Sequence, residues 1–521
     1  MTIAQAMDIA IAHQAAGRSA EAEEVYRAIL DQVPNNAFAL NFLGVVLSSR
    51  GQKQEGIRLM RQSIEADPIV AVFHTNLSGA LIETGDYHGA EMAARAAIER
   101  EPKDGQAHVN LAQVQWQQQR EDEAIATMRR AAELLPARAD VYSHLGRYYA
   151  GSGRLEESLV PLRRAVELDP GSSAYHANLG GSFYALLRLK DAEQEYRKAI
   201  ELKPDEPAYH TDLALVLLLA GEWTDGLREY ESRLKVPIMR TAPRSYGKPQ
   251  WDGSPLDGRT IFLHTEQGFG DAILFSRYVP ILAESGAKVI LEARPELLDL
   301  FQSLKGVGQV IARGQTPPQF DVHSPLLSVP MYLGTTPRSI PANVPYLRPD
   351  EGRIDHWRRI IGAQAGDAKL RIGLVWGGSK SSVYDAQRSI MLQDLSPLLA
   401  VEGVRWYSLQ VGVDALLSGP FMAGQMVELS GDFRDFSDTA AAIESLDLVI
   451  SVDTSVAHVA GAIGKPVWMF VPHLPFWPWL TEGTSTGWYP TMQLFRQADP
   501  NSWVPAISEV ADALRQKLAA L

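Results

Sequence analysis

Six prolines stand in one register: Pro34, Pro68, Pro102, Pro136, Pro170 and Pro204, each 34 residues after the last. A spacing held over six positions makes roughly the first 235 residues one helix–turn–helix unit copied in tandem. The rest of the 521-residue chain has no such period, so an array is joined to something of another kind. The length alone requires more than one core.

The unit from Ala37 to Pro68 shows the pattern. A first helix carries Leu43 and Gly44, a break falls at Gly51, and a second helix carries Gly56, Met60 and Ser63. The same offsets return as Leu77, Ala90, Ala94 and Ala97, then as Leu111, Ala124, Met128 and Ala131. They return again as Leu145, Gly146, Leu162 and Ala165, and as Leu179, Gly180, Ala192, Tyr196 and Ala199. Small residues let two helices approach closely, and the proline stops the second one. The first unit (Ala22, Tyr26, Pro34) and the last (Leu213, Gly226, Tyr230) match only in part, as terminal repeats usually do. The pattern resembles the tetratricopeptide repeat, which implies an α-solenoid with a concave binding face.

One residue before the packing leucine, successive units carry Asn76, Asn110, His144, Asn178 and Asp212. An amide both donates and accepts, so a column of asparagines suits the backbone of an extended peptide. This resembles the asparagine ladder in the repeat domain of O-GlcNAc transferases, and it makes Asn76, Asn110 and Asn178 candidate acceptor-binding residues. As surface positions they should add little to stability. Asparagine that is simply common in this repeat would give the same column. Two positions earlier stand His74, His108, Tyr142, His176 and His210. Layers of packed helices lie roughly 10 Å apart, too far for histidines of successive units to share an ion at about 2 Å. Packing is the expected role.

Composition excludes several functions. No cysteine is present, so thiolate metal sites, iron–sulfur clusters and thiol nucleophiles are ruled out. The formal charge of -13 argues against a general nucleic-acid or anionic-membrane binder. No run of eighteen apolar residues occurs, and Met1 to Leu30 does not read as a signal peptide. A cytoplasmic location is the expectation.

From Val236 to Asp257 the chain is rich in Pro, Gly and Arg and reads as a linker. Strand and helix patterns then alternate: strands at 260–264, 289–292 and 307–311, with helices at about 271–285 and 295–304. After a proline-dense stretch and a helix at about 353–362, further strands are expected at 372–376, 406–409, 448–452 and 467–470, and a closing helix at 503–521. Short apolar runs separated by helices mean doubly wound parallel sheets. The expected organisation is a repeat superhelix over 1–235, a linker over 236–258, and Rossmann-like lobes over 259–350 and 351–521.

Four segments carry candidate chemistry. The first is Gly268-Phe269-Gly270-Asp271, after a strand and opening a helix, where backbone N–H groups are offered to an anion. An ordinary N-capping aspartate would look the same. The second is Trp376-Gly377-Gly378-Ser379, a possible phosphate-cradling turn, with Lys380 and Arg388 behind it. The third is Asp453-Thr454-Ser455-Val456-Ala457-His458, between a strand and a helix of small residues. The fourth holds Trp477, Trp479 and Trp488, which read either as stacking platforms or as core.

The order of these segments resembles the heptosyltransferase-like glycosyltransferases of GT-B fold, over about Thr260 to Arg496. The whole chain resembles bacterial proteins that fuse tetratricopeptide repeats to such a transferase, flagellin glycosyltransferases among them. The resemblance implies an inverting transferase that uses a nucleotide sugar as substrate and needs no cofactor. Asp271 matches the family's general base. Gly268, Gly270, Gly378, Ser379, Asp453, Thr454, Ser455 and His458 match donor-binding positions. Arg388 or Lys380 would stabilise the leaving diphosphate. No Asp-x-Asp pair is present, so metal independence is expected. The expected partner is a protein acceptor, flagellin first, held by the repeats and modified on Ser or Thr. Two other readings stay open: a non-catalytic adaptor with a degenerate transferase domain, and a transferase acting on a glycan or lipid-linked sugar with the repeats used for assembly.

Overall fold

In the computed structural model, residues 1–237, 246–378, 385–412 and 426–521 are described. The chain divides into two compact units, Met1–Pro204 and Asp205–Leu521.

The first unit is built of helical pairs: α1 (Ile3–Ala15) with α2 (Ser19–Gln32), α3 (Ala37–Ser49) with α4 (Lys53–Ala66), α5 (Ala71–Thr84) with α6 (Tyr87–Arg100), α7 (Gly105–Gln117) with α8 (Glu121–Leu134), α9 (Ala139–Gly151) with α10 (Leu155–Leu168), and α11 (Ser173–Ala185) with α12 (Leu189–Leu202). The incomplete first repeat of the sequence is a complete pair. Small residues set the approach within a pair. A β-carbon on Gly44 would sit 2.7 Å from the Gly56 carbonyl, and Ala90, Ala124, Ala165 and Ala199 have no exposed surface.

The turn inside each pair holds one residue in the left-handed region, again at 34-residue spacing. Five of these are glycines, Gly17, Gly51, Gly85, Gly153 and Gly221 (the last in the second unit), while Gln119 (φ 60°) and Leu187 (φ 58°) adopt the same conformation against the preference of their side chains. Only glycine takes this conformation freely. Gln119 is exposed. Gln119→Gly is therefore expected to raise stability by about 0.5–1 kcal/mol, because relief of the left-handed strain outweighs the extra freedom glycine brings to the unfolded chain. Chemical denaturation of the two proteins measures it.

The second unit opens with one more pair, α13 (Pro207–Leu219) and α14 (Trp223–Tyr230), and a 3₁₀ turn over Glu231–Lys235. Two parallel sheets follow. The first contains β1 (Thr260–His264), β2 (Lys288–Ala293), β3 (Val307–Ala312) and β4 (Val322–Pro325) in the order β3-β2-β1-β4. The second contains β5 (Leu370–Val375), β6 (Val404–Ser408), β7 (Met426–Glu428), β8 (Leu448–Val452), β9 (Val467–Val471) and β10 (Met492–Arg496), in the order β10-β9-β8-β5-β6-β7. All of its pairings are parallel. In each sheet the strand order reverses beside the strand that starts it, between β1 and β4 and between β5 and β8. Doubly wound sheets bind ligands at such points, outside the carboxyl ends of the strands.

The helices are α15 (Phe269–Ser276), α16 (Tyr278–Glu284), α17 (Leu298–Phe301), α18 (Val329–Tyr332), α19 (Glu351–Ala363), α20 (Asp385–Arg388), α21 (Ser396–Leu399), α22 (Phe436–Glu444), α23 (Ser455–Ala462) and α24 (Val504–Ala519). The single helix expected over 271–285 is two, broken at Arg277. Pro280 in the second lacks an N–H, and its ring would collide with the Ser276 carbonyl of a continuous helix. The strands β4, β7 and β10 were not expected from the sequence. On the far side of the second sheet, Val510, Leu514 and Leu518 of α24 close the core over Trp406 and Leu398. The later part of the expected linker is packed down: Trp251 is buried and its N–H donates to the His323 carbonyl of β4 (2.8 Å). No described helix is long and apolar enough to cross a membrane.

Candidate functional site

The site-bearing loops leave the carboxyl ends of β1, β5 and β8. After β1 the chain turns through Gln267, held left-handed (φ 51°), to Gly268, and α15 begins. Gly268 has no side chain to cap the helix. Its N–H donates instead to the Asp271 carboxylate (3.0 Å), so Asp271 closes its own helix start. Burial pushes the Asp271 carboxyl up to about 6, and the charges of Asp453 and Glu266 add to the rise against that hydrogen bond. A carboxyl in that setting holds its proton more tightly than an exposed aspartate does.

Opposite this loop lies the start of α23. A β-carbon on Gly270 would fall 2.9 Å from Cδ2 of His458 and 3.3 Å from its Nε2, so glycine is what lets the two helices meet. His458 is buried and its Nδ1 lies 3.0 Å from the Tyr489 hydroxyl. Burial, with Arg277 and Arg388 nearby, drives the imidazole down to about 3, so it is neutral at every ordinary pH. Its Nε2 is 3.8 Å from Asp453 Oδ1. The other oxygen of Asp453 accepts from Trp479 Nε1 (2.9 Å), and burial raises the carboxyl above its usual range. The Asp453 carboxylate is thus engaged inside the protein rather than turned outward as a ligand.

Other polar groups complete this corner. Thr454 makes no capping hydrogen bond to α23; its hydroxyl pairs with Ser451 Oγ (3.0 Å). The first N–H groups of α23, from Ser455 onward, have no acceptor within the helix. Arg388, at the end of α20, donates from Nη1 to the Asp453 carbonyl (3.0 Å), which ties the β5 loop to the β8 loop. Gly378 makes room for it: a β-carbon there would lie 2.5 Å from Arg388 Nε. The Gly378 N–H donates to Ser389 Oγ (3.1 Å), and the N–H groups of Trp376 and Gly377 donate to Gln410 Oε1. Ser379 and Lys380 lie outside the described residues. Gly268, Gly270, Asp271, Gly378, Arg388, Asp453, Thr454, Ser455 and His458 are thus brought together from three strand ends.

The sequence did not flag the scaffold behind this corner. Arg277, buried at the break between α15 and α16, donates to the carbonyls of Trp488 (2.6 Å) and Pro341 (3.0 Å) and to the Tyr346 hydroxyl (3.2 Å). Tyr346 donates to the Ile273 carbonyl (3.0 Å) and lies 3.2 Å from the Tyr489 hydroxyl, which reaches His458. Of the two readings of the tryptophans, the structure gives the core: Trp477, Trp479 and Trp488 are 2%, 2% and 0% exposed.

The asparagine column of the first unit links neighbouring helices. Asn76 Nδ2 donates to Asn41 Oδ1 (2.7 Å), Asn110 Nδ2 to the Thr75 carbonyl (3.0 Å) and Asn178 Nδ2 to Ser143 Oγ (3.0 Å). Each amide reaches 35 residues back, to the preceding first helix. Asn110 is not a surface position: it is 4% exposed, and its oxygen accepts from Gln106 (2.8 Å). Its replacement would therefore cost stability, contrary to the expectation from sequence. The histidines two positions earlier cap the repeat prolines. His74, His108 and His176 place Nε2 at 3.0, 3.2 and 3.2 Å from the carbonyls of Pro68, Pro102 and Pro170.

Fold and site define a tetratricopeptide-type helical array joined to a doubly wound α/β region whose polar residues meet at the strand ends. A tetratricopeptide model described as the C-terminal domain of cilia and flagella-associated protein 70 matches residues 4–214. The chain is similar to the protein FlbA of Caulobacter vibrioides, 27% identical over 327 residues, 58% of this chain. The match spans 54% of FlbA, about half of that relative's length. Among solved structures, PilF of Pseudomonas aeruginosa is 19% identical, covering 40% of this chain and 93% of its own at a TM-score of 0.36. YrrB, described as a tetratricopeptide protein with an unusual peptide-binding site, is 20% identical over 36% of this chain and 96% of its own, at a TM-score of 0.31.

Proposed function

We propose that the α/β half is an inverting glycosyltransferase that takes its sugar from a nucleotide donor and adds it to Ser or Thr of a protein bound by the repeats, in the GT-B manner that the order of its motifs resembles. The observation that supports this reading is the meeting of three strand-end loops at two switch points. They bring a carboxyl that titrates near 6, an arginine and an uncapped helix start into one corner. Asp271 takes the proton of the acceptor hydroxyl. The freed oxygen forms its bond to the anomeric carbon as the bond from that carbon to the nucleoside diphosphate breaks on the opposite face. The diphosphate leaves with the electron pair, and Arg388 and the N–H groups of α23 hold its charge. His458, neutral, and Asp453 shape the corner rather than exchange protons.

Flagellin is the first acceptor to try. Flagellin expressed with this protein in a cell that supplies the nucleotide sugars is expected to gain mass in whole sugar residues, seen by intact mass spectrometry. The Asp271→Asn protein should leave it unmodified. Flagellin of unchanged mass beside a wild-type protein that binds nucleotide would move the acceptor to a glycan or a lipid-linked sugar.

A further inference from the structure

The last helical pair carries an arginine that no repeat position requires. Arg233, on the turn after α14, has no exposed surface. Its Nη2 donates to Glu266 Oε1 (2.6 Å) and Ser328 Oγ (2.9 Å), and its Nη1 to Glu231 Oε1 (2.7 Å) and the Tyr230 carbonyl (3.0 Å). Glu266 is buried at the root of the glycine loop, two residues after β1. The next residue, Gln267, is held left-handed from two sides: its Nε2 donates to the Tyr230 hydroxyl (2.9 Å), and its carbonyl accepts from Arg294 Nη2 (2.7 Å). A non-glycine residue keeps such a conformation only where its surroundings hold it there. Trp223 of α14 is fixed in the same body, edge-to-face with Trp477 (5.2 Å) and near-parallel to Trp488 (5.6 Å).

We propose that Arg233 is a positioning residue for Asp271: by clamping Glu266 it fixes the glycine loop and balances the charge beside the base, which makes the last helical pair a working part of the α/β site. The inference rests on the reading of Asp271 as the base. The titratable and charged groups around Asp271 and its loop come from several elements. Glu266 stands on its own loop, Glu231 on the turn after α14 against Arg233, and Tyr230 on α14, within reach of Arg233, Glu266 and Asp271 together. Asp453 and His458 stand across from it on α23 and its approach, Arg388 beside Asp453, Arg294 against the loop and Arg277 at the end of α15. Of these, Glu266 and Arg233 form the pair whose charges cancel at the loop's root. Removing Arg233 leaves Glu266 without its cation in a buried place, whereas removing Glu266 leaves Arg233 paired with Glu231, so the two changes act with opposite signs at Asp271.

The test reads the pH at which Asp271 titrates, from the pH dependence of the melting-temperature difference between each protein and its own Asp271→Asn version. This requires no activity, so failure of the transferase reading and failure of this one are seen separately. Arg233→Gln is expected to move that titration up by about one pH unit, with an about fivefold loss of transfer at pH 6 that recovers by pH 8. Glu266→Gln is expected to move it down by a similar amount, and the double variant, which keeps Glu231, to bring it back toward the wild-type position. If Arg233→Gln does not fold, Arg233→Lys, which keeps the charge but loses the two-sided clamp, decides: an Asp271 titration moved clearly above wild type, by less than the shift expected of Arg233→Gln, supports the proposal, and one at the wild-type pH overturns it. Variants that lose melting temperature but titrate Asp271 at the wild-type pH would reduce the pair to a structural contact and overturn the proposal.

Discussion

Asp271→Asn is expected to lower the transfer rate by about 10²–10⁴-fold, the usual loss when a general base is removed, and at the same time to make the protein more stable above pH 6. The two effects have one cause. The carboxyl is half-buried, feels the charges of Asp453 and Glu266, and is pushed up from its ordinary 3.8 to about 6. Because the folded value lies above the unfolded one, its contribution to stability is complete below about pH 4 and is lost as pH rises through about 6. At about 1.4 kcal/mol per pH unit the loss is worth up to about 3 kcal/mol. An asparagine never ionises, and its oxygen can still accept from the Gly268 N–H. The melting temperatures of the two proteins should therefore agree at pH 4, separate between pH 4 and 6 in favour of the variant, and run parallel above. The wild-type rate should rise about tenfold per pH unit below 6 and level off above it. A variant of full activity, or one less stable at pH 8, would make Asp271 an ordinary helix cap, whose loss costs roughly 1 kcal/mol.

Arg388→Ala carries the second large effect. The arginine stands between the Gly378 turn and the start of α23, with one Nη bonded to the Asp453 carbonyl. Loss of a charged partner from a partly buried site typically costs 2 kcal/mol or more, so nucleoside-diphosphate affinity should fall about 30-fold or further. The donor's nucleoside, held by other groups, should bind with its affinity unchanged. Arg388→Lys keeps the charge but lacks the planar fork that reaches both a carbonyl and a phosphate, and should fall between. Equal losses for nucleoside and nucleoside diphosphate would mean that the whole corner had collapsed.

Much of this architecture was legible in the sequence because the signals were local. The prolines mark the end of each second helix, and the left-handed turn at residues 17, 51, 85, 119, 153, 187 and 221 repeats the same period, five times as glycine. Gly268 to Asp271 and Asp453 to His458 each sit at a strand-to-helix junction, and parallel sheets send such junctions to one edge. The groups that hold the corner were not legible, because their partners lie far along the chain. Arg277 reaches Trp488 across 211 residues and Tyr346 reaches Tyr489 across 143. Nothing near Arg277 in sequence distinguishes it from a surface arginine. Trp477, Trp479 and Trp488 look alike in sequence whether they stack on a ligand or fill a core. The asparagine column was visible, but not that its amides point back to the preceding helix. The pair α13–α14 continues the repeat pattern, yet Trp223 and Arg233 are buried by contacts with residues 33 to more than 250 positions away.

The central claim is that the corner between β1, β5 and β8 holds the diphosphate of a sugar donor. Calorimetric titration with UDP, GDP, ADP and CMP tests it most directly. One nucleotide is expected to bind the wild-type protein at a single site and to lose about 30-fold or more in Arg388→Ala, with Asp271→Asn unchanged. Its saturating presence at a hundredfold over the dissociation constant should add about 2.7 kcal/mol of stability. No binding by any of the four, or binding that Arg388→Ala leaves intact, would contradict the claim.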